Sequence, residues 1–187
     1  ELGKDTRLLL STCRYLESTG DLRSLCHLLE QLADMPGTRR YALEKLLEHQ
    51  ASSATLSDVR AWISKLRLIH VDDPRLHNAE LYFELLDSNT SRHKIAKIAE
   101  EAGDLLTIHG ERGFHVTAAL AYLLNEEPDK ALIALGDLSD WQTWREARPA
   151  WVAICAQVLR RNQDTQRAMR LEAGISTENM DLAERRA

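Results

Sequence analysis

The chain is poor in residues that break or bend a backbone. Its 187 residues include 8 glycines and 4 prolines, too few for the many turns of a β-sandwich or barrel. β-Branched aliphatic residues are scarce as well, 8 Ile and 5 Val against 31 Leu and 22 Ala. Unbranched and γ-branched side chains lose little rotamer freedom in a helix, whereas β-branched ones favour strands. A β-rich fold is therefore excluded. The three cysteines, Cys13, Cys26 and Cys155, contain no CxxC pair, which excludes a disulfide scaffold. No apolar run approaches the roughly 20 residues of a membrane-spanning helix, so no membrane span is expected. Basic charge is not in excess either: 24 Lys and Arg stand against 29 Asp and Glu, a net charge of −5. Phosphate neutralisation dominates nucleic-acid affinity, so no nucleic-acid partner is expected.

What is present points to one class. Hydrophobic residues are 44% and charged residues 28% of the chain, enough for a packed core. The expected fold class is all-α. An odd cysteine count reads as reduced thiols in a cytoplasmic compartment, serving as small apolar core residues. Cys13 and Cys26 fall on neighbouring helices, which leaves a single bridge between them as the alternative. The opening Glu1-Leu2-Gly3-Lys4-Asp5 is charged and lacks the apolar stretch of a secretory signal. The absence of an initiating Met is expected of a piece of a larger protein.

Apolar spacing predicts a succession of helices. Leu8, Leu9, Thr12, Cys13 and Leu16 recur at helical intervals up to Ser18-Thr19-Gly20. Asp21 then caps a second helix with Leu22, Leu25, Leu28, Leu29 and Leu32 on one face, stopped by Met35-Pro36-Gly37. Arg39–Gln50 carries Leu43, Leu46 and Leu47, and Thr55 or Ser57 caps a helix with Val59, Trp62, Ile63, Leu66 and Ile69 inward. Asp73 and Pro74 suit the cap and first position of the next helix, which carries Leu76, Ala79, Tyr82, Phe83 and Leu86. Ile95, Ile98, Ala102 and Leu105 mark its successor. Three further segments with helical spacing follow Arg112, Pro128 and Pro149, and Ala168 and Leu171 mark the last.

Turns between partner helices fall near residues 20, 53, 89, 125 and 162. A recurrence of about 33–37 residues is the signature of a helical solenoid. Ten helices in five antiparallel pairs are expected, in units of about 6–36, 38–71, 73–109, 112–138 and 139–175, with a tail over 176–187. All would belong to one helical-repeat domain. Trp151-Val152-Ala153-Ile154-Cys155-Ala156-Gln157-Val158 resembles the first helix of a tetratricopeptide repeat, W-x₂-L-G-x₂-Y. Ile154 stands for Leu, Cys155 for Gly and Val158 for Tyr. The resemblance implies a TPR-like α-α superhelix of right-handed sense, with Trp151 in the core.

Motifs of chemistry are sparse. The seven histidines include no HExxH, and no GxGxxG, GxxxxGK[ST] or GxSxG occurs. His70, Asp72, Asp73 and His77 have metal-like ingredients but straddle a helix boundary at Pro74. His109 and His115 flank Gly110-Glu111-Arg112-Gly113, which reads as a connector. Glu100-Glu101 and Glu126-Glu127 read as solvated charge. No catalytic residue, metal site or cofactor is expected.

One segment exceeds what architecture needs. Three of the four tryptophans lie within Trp141-Gln142-Thr143-Trp144-Arg145-Glu146-Ala147-Arg148-Pro149-Ala150-Trp151, and six Arg against two acidic residues span Arg145–Arg170. Trp and Arg are enriched at binding hot spots and pair through cation–π contact. Trp141, Trp144, Arg145 and Arg148 are thus candidate partner-binding residues, and packing between the last two helix pairs is the competing role for the tryptophans. Ser139-Asp140-Trp141-Gln142 has the form of a capping box.

The leading expectation is a non-catalytic helical-repeat module that binds a protein or peptide as a scaffold, chaperone-like or regulatory element. Its terminal helices are candidates for self-association. The alternative is a ligand-sensing or regulatory module of a larger signalling or transcription regulator. An all-α enzyme built on the His70–His77 or His109–His115 region is the third reading.

Overall fold

The structure, a computed structural model, describes residues 4–50, 55–137, 149–173 and 175. Among these residues there are ten helices and no strand. They are α1 (Lys4–Thr19), α2 (Leu22–Ala33), α3 (Arg39–Gln50), α4 (Leu56–Ile69), α5 (Pro74–Leu85), α6 (Arg92–Ile108), α7 (Arg112–Leu124), α8 (Pro128–Leu135), α9 (Pro149–Arg161) and α10 (Thr165–Glu172). The expected turns near 20, 89, 125 and 162 each separate two helices, and residue 53 lies outside the described residues. No helix among the described residues is long and apolar enough to cross a membrane.

Helix starts follow local chemistry. The Asp21 carboxylate accepts from the Ser24 amide at 3.2 Å, and the hydrogen bonds from Ser24 hold its carboxyl below the usual range. Thr55, not Ser57, caps α4, in a capping box with Asp58. Asp73 caps α5 with Pro74 at the first position. Each such cap satisfies amides that the helix itself leaves without partners.

Three turns share one geometry. The amides of Asp21, Glu127 and Asp164 donate to the carbonyls of Leu16, Tyr122 and Leu159, five residues back, at 3.1, 2.9 and 2.9 Å. The residue before each acceptor-linked amide, Gly20, Glu126 or Gln163, has φ of +74°, +63° or +65°. This is the Schellman closure of a helix, which favours glycine at its left-handed position. Only the first of the three has it. Gln163→Gly is therefore expected to raise stability by up to about 1 kcal/mol, since a side chain in this region is strained by roughly that amount. Chemical denaturation of the two proteins checks this, and an unchanged or lower midpoint counts against it.

Every extensive helix–helix contact joins elements one or two places apart in the chain. Among the described residues most buried apolar side chains fall into two clusters. One gathers Cys13, Leu25, Leu29, Leu32, Leu43, Leu46, Val59, Trp62, Ile63 and Leu66 from α1–α4. The other draws on α5–α10. Within it α7 buries every residue from Val116 to Ala121, because α5, α6, α8 and α9 all pack on it. Four surrounding partners require an apolar circumference rather than a stripe. Small Ala118, Ala119 and Ala121, together with Cys155 on α9, let these helices approach closely.

Several sequence expectations are corrected here. Ile69, expected inward, is 40% exposed, and Leu8 and Leu22, which belong to the apolar spacing of their helices, are 67% and 48% exposed. Leu22 and Ile69 occupy the first and last positions of their helices, beyond the reach of the neighbouring helix. Leu8 lies on α1, which has one extensive neighbour and so covers one stripe only. Trp151 was expected in the core; it is half-buried and packs on the C-terminal cluster from outside. Gly113 faces it, with room for a Cβ at 3.5 Å from the Trp151 ring. The cysteines need no correction: none of the three is in a disulfide and all are buried, as the reading of small apolar core residues expects.

Candidate functional site

The odd-numbered helices α5, α7 and α9 pack side by side, and together they line an apolar groove of about 350 Å³. α5 and its C-cap contribute Tyr82, Leu85 and Leu86; α7 contributes Leu120, Leu123 and Leu124. The third wall, from α9, is Ala150, Ala153, Ile154, Gln157 and Arg161. Tyr82, Leu85, Leu120 and Ala150 are nearly covered, whereas Leu124 is 39% exposed. Leu86, Leu123, Ala153 and Ile154 are half-buried. The volume falls at the lower end of ligand and peptide pockets.

Leucine pairs build two of the walls. Adjacent helix residues point about 100° apart, and the two leucines of each pair differ in how far they are covered. Leu85 is buried in the cluster and the half-buried Leu86 packs against it; Leu123 packs against it as well, and Leu124 is the more exposed. On α9 the small Ala150 and Ala153 leave the space that larger side chains would fill.

The groove is electrostatically simple. Its lining holds one charged residue, Arg161, which is exposed and has no ion-pair partner among the described residues. Neighbouring arginines are engaged: Arg160 pairs with Glu172, and Arg167 with Asp164 at 3.6 Å. Cys155, buried behind the α9 wall, has its thiol pushed up to about 12 by burial. It stays protonated at neutral pH and serves as a small apolar side chain.

The histidines singled out in the sequence do not converge. Asp73 caps α5 through the Arg75 amide at 2.9 Å, while His77 pairs with Glu101 on α6 at 3.4 Å. His70 ends α4, with its Nε2 buried and unpartnered among the described residues. His109 stacks on Phe114 with ring centroids 5.0 Å apart. His115 donates from Nδ1 to the Ala134 carbonyl at 2.6 Å, tying α7 to the end of α8. Among the described residues no three His, Cys, Asp or Glu side chains are grouped to hold a metal.

The four candidate partner-binding residues, Trp141, Trp144, Arg145 and Arg148, lie outside the described residues, as does the capping-box sequence at Ser139–Gln142. The groove itself was missed by sequence reasoning, which read Tyr82, Leu86 and Ile154 only as apolar positions at helical spacing. The paired leucines at the ends of α5 and α7 were the available signal. No family model matches the chain, and neither a curated protein nor a solved structure matches it significantly.

Proposed function

We propose that the chain is a non-catalytic helical-repeat module of TPR-like arrangement, whose groove binds an apolar protein or peptide segment in the cytoplasm. In this reading α5, α7 and α9 are the first helices of three successive pairs, and the groove is the inner face of the array. The observation that carries it is the lining itself: apolar residues from three helices converge on one open depression. Contacts confined to near neighbours in the chain and the repeated turn geometry support the solenoid arrangement. Three buried cysteines with no disulfide among them fit a reducing compartment. The partner best matched to the groove is an amphipathic segment with two or three aliphatic or aromatic anchors and one carboxylate placed for Arg161.

A peptide-display selection on the folded protein tests this. Selected peptides should carry that pattern, and Ala153→Trp, which fills the groove, should weaken their binding tenfold or more, about 1.4 kcal/mol. Ile133→Glu, at an exposed position on α8 away from the groove lining, should leave binding unchanged. Peptides that bind Ala153→Trp as well as the parent protein would place the partner elsewhere.

A further inference from the structure

α5 is the helix that packs on both apolar clusters, and it does so unequally. Leu81, Tyr82 and Leu85 belong to the C-terminal cluster and are each 6% exposed. Leu76, Ala79 and Phe83 lie against the N-terminal cluster and are only half-buried. Phe83 alone among the peripheral residues touches both clusters. The apolar seam between α4 and α5 is therefore thin.

Charge makes up much of the rest. From α4, Arg60 pairs with Glu84 and with Asp87, the latter at 3.0 Å, and Arg67 pairs with Glu80. The Glu84 side chain is 12% exposed and also takes Lys94 from α6. Two open clefts border this seam. One, of about 500 Å³, is lined by Leu56, Ser57, Ala61 and Ser64 beside Arg60 and Asp87. The other, of about 220 Å³, lies among Arg67, His77, Glu80 and Lys97. Within the N-terminal cluster α2, α3 and α4 contribute fully buried side chains such as Leu29, Leu43 and Ile63, whereas those that α5 brings to it are half-buried.

Interlocked apolar side chains resist sliding because any shift opens voids. Ion pairs weaken only gradually with distance, so a seam of half-buried apolar contacts joined by charge yields before the bodies it joins. We propose that the α4–α5 junction is an electrostatic hinge, about which α1–α4 and α5–α10 change orientation as two bodies, held closed by the ion pairs of Arg60 and Arg67. The inference rests on this junction and is independent of the groove and its partner.

Small-angle X-ray scattering of the full chain, with far-ultraviolet dichroism on the same samples, tests it. Raising sodium chloride from 0.1 M to 1 M shortens the Debye length from about 10 to about 3 Å. The radius of gyration should then grow by on the order of 1 Å, from about 16 Å for a compact chain of this length, with helicity unchanged. The Arg60→Gln, Arg67→Gln double variant should be expanded already at 0.1 M and insensitive to salt. Arg75→Gln with Arg92→Gln, which removes the exposed pairs to Glu111 and Glu126, should behave as the parent protein. Constant dimensions in both the salt series and the Arg60/Arg67 variant would overturn the hinge. So would expansion with loss of helix in the parent protein, or equal expansion in the Arg75/Arg92 control. Should the Arg60/Arg67 variant fail to fold, the parent salt series decides alone.

Discussion

Leu29→Ala is expected to destabilise the protein by about 3–5 kcal/mol. Leu29 is 0% exposed and sits in the N-terminal cluster with Leu25, Leu32, Leu43 and Leu46. Truncation removes its transfer free energy and leaves a cavity that stiff neighbours fill only in part. A domain of this kind is stable by only about 5–15 kcal/mol, so the loss is a large fraction of the whole. Urea denaturation followed through Trp62, in a background where it is the sole tryptophan, reports on this cluster directly, because Trp62 belongs to it. Leu8→Ala on the exposed side of α1 should change stability by no more than about 0.5 kcal/mol. Similar costs for the two substitutions would show that the cluster is not packed as described.

Removing residues 138–187 is expected to disrupt the C-terminal cluster and spare the N-terminal one. α9 and α10 supply Val152, Cys155, Ala156, Val158, Leu159, Ala168 and Leu171 to the former and nothing to the latter. Without α9, the apolar circumference of α7 loses one of its four covering helices. Helicity should fall by more than the deleted α9 and α10 account for, while Trp62 remains shielded. In a nearest-neighbour array, damage at one end spreads only as far as shared interfaces carry it. Exposure of Trp62 at low temperature would mean that the chain folds as a single cooperative unit.

Much of the fold was legible because its signals are local. Asp21 and Asp73 cap helices as their positions foretold, and the turns at Gly20, Asn125–Glu127 and Asn162–Asp164 occur where turn chemistry put them. Helical spacing identified Leu25, Leu29, Val59, Trp62, Ile63 and Ile98 as buried. It failed at Leu8, Leu22 and Ile69, where the spacing is right but no neighbour covers the side chain. Periodicity shows which face of a helix is apolar; it does not show how far the next helix extends.

The groove was illegible for a related reason. Residues on α5, α7 and α9 share no local pattern beyond being apolar, and a leucine at a rim has the same spacing as one in a core. The paired leucines at 85–86 and 123–124 betray a second apolar direction, but not what lies in it. Trp151 shows the same limit: its motif position suggested burial, and packing leaves it half-covered beside Gly113.

Composition, caps and turn residues by themselves determined that this chain is helical, where most of its helices begin, and which side chains seek burial. These follow from interactions within a few residues of one another, so the order of residues is sufficient. The division of the buried residues into two clusters, the ionic seam at Arg60 and Arg67, and the convergence of three helices on one groove were decided by tertiary structure. Each joins residues 13 to about 80 positions apart, and such partners are chosen by the shape and charge of whole helix faces once they meet.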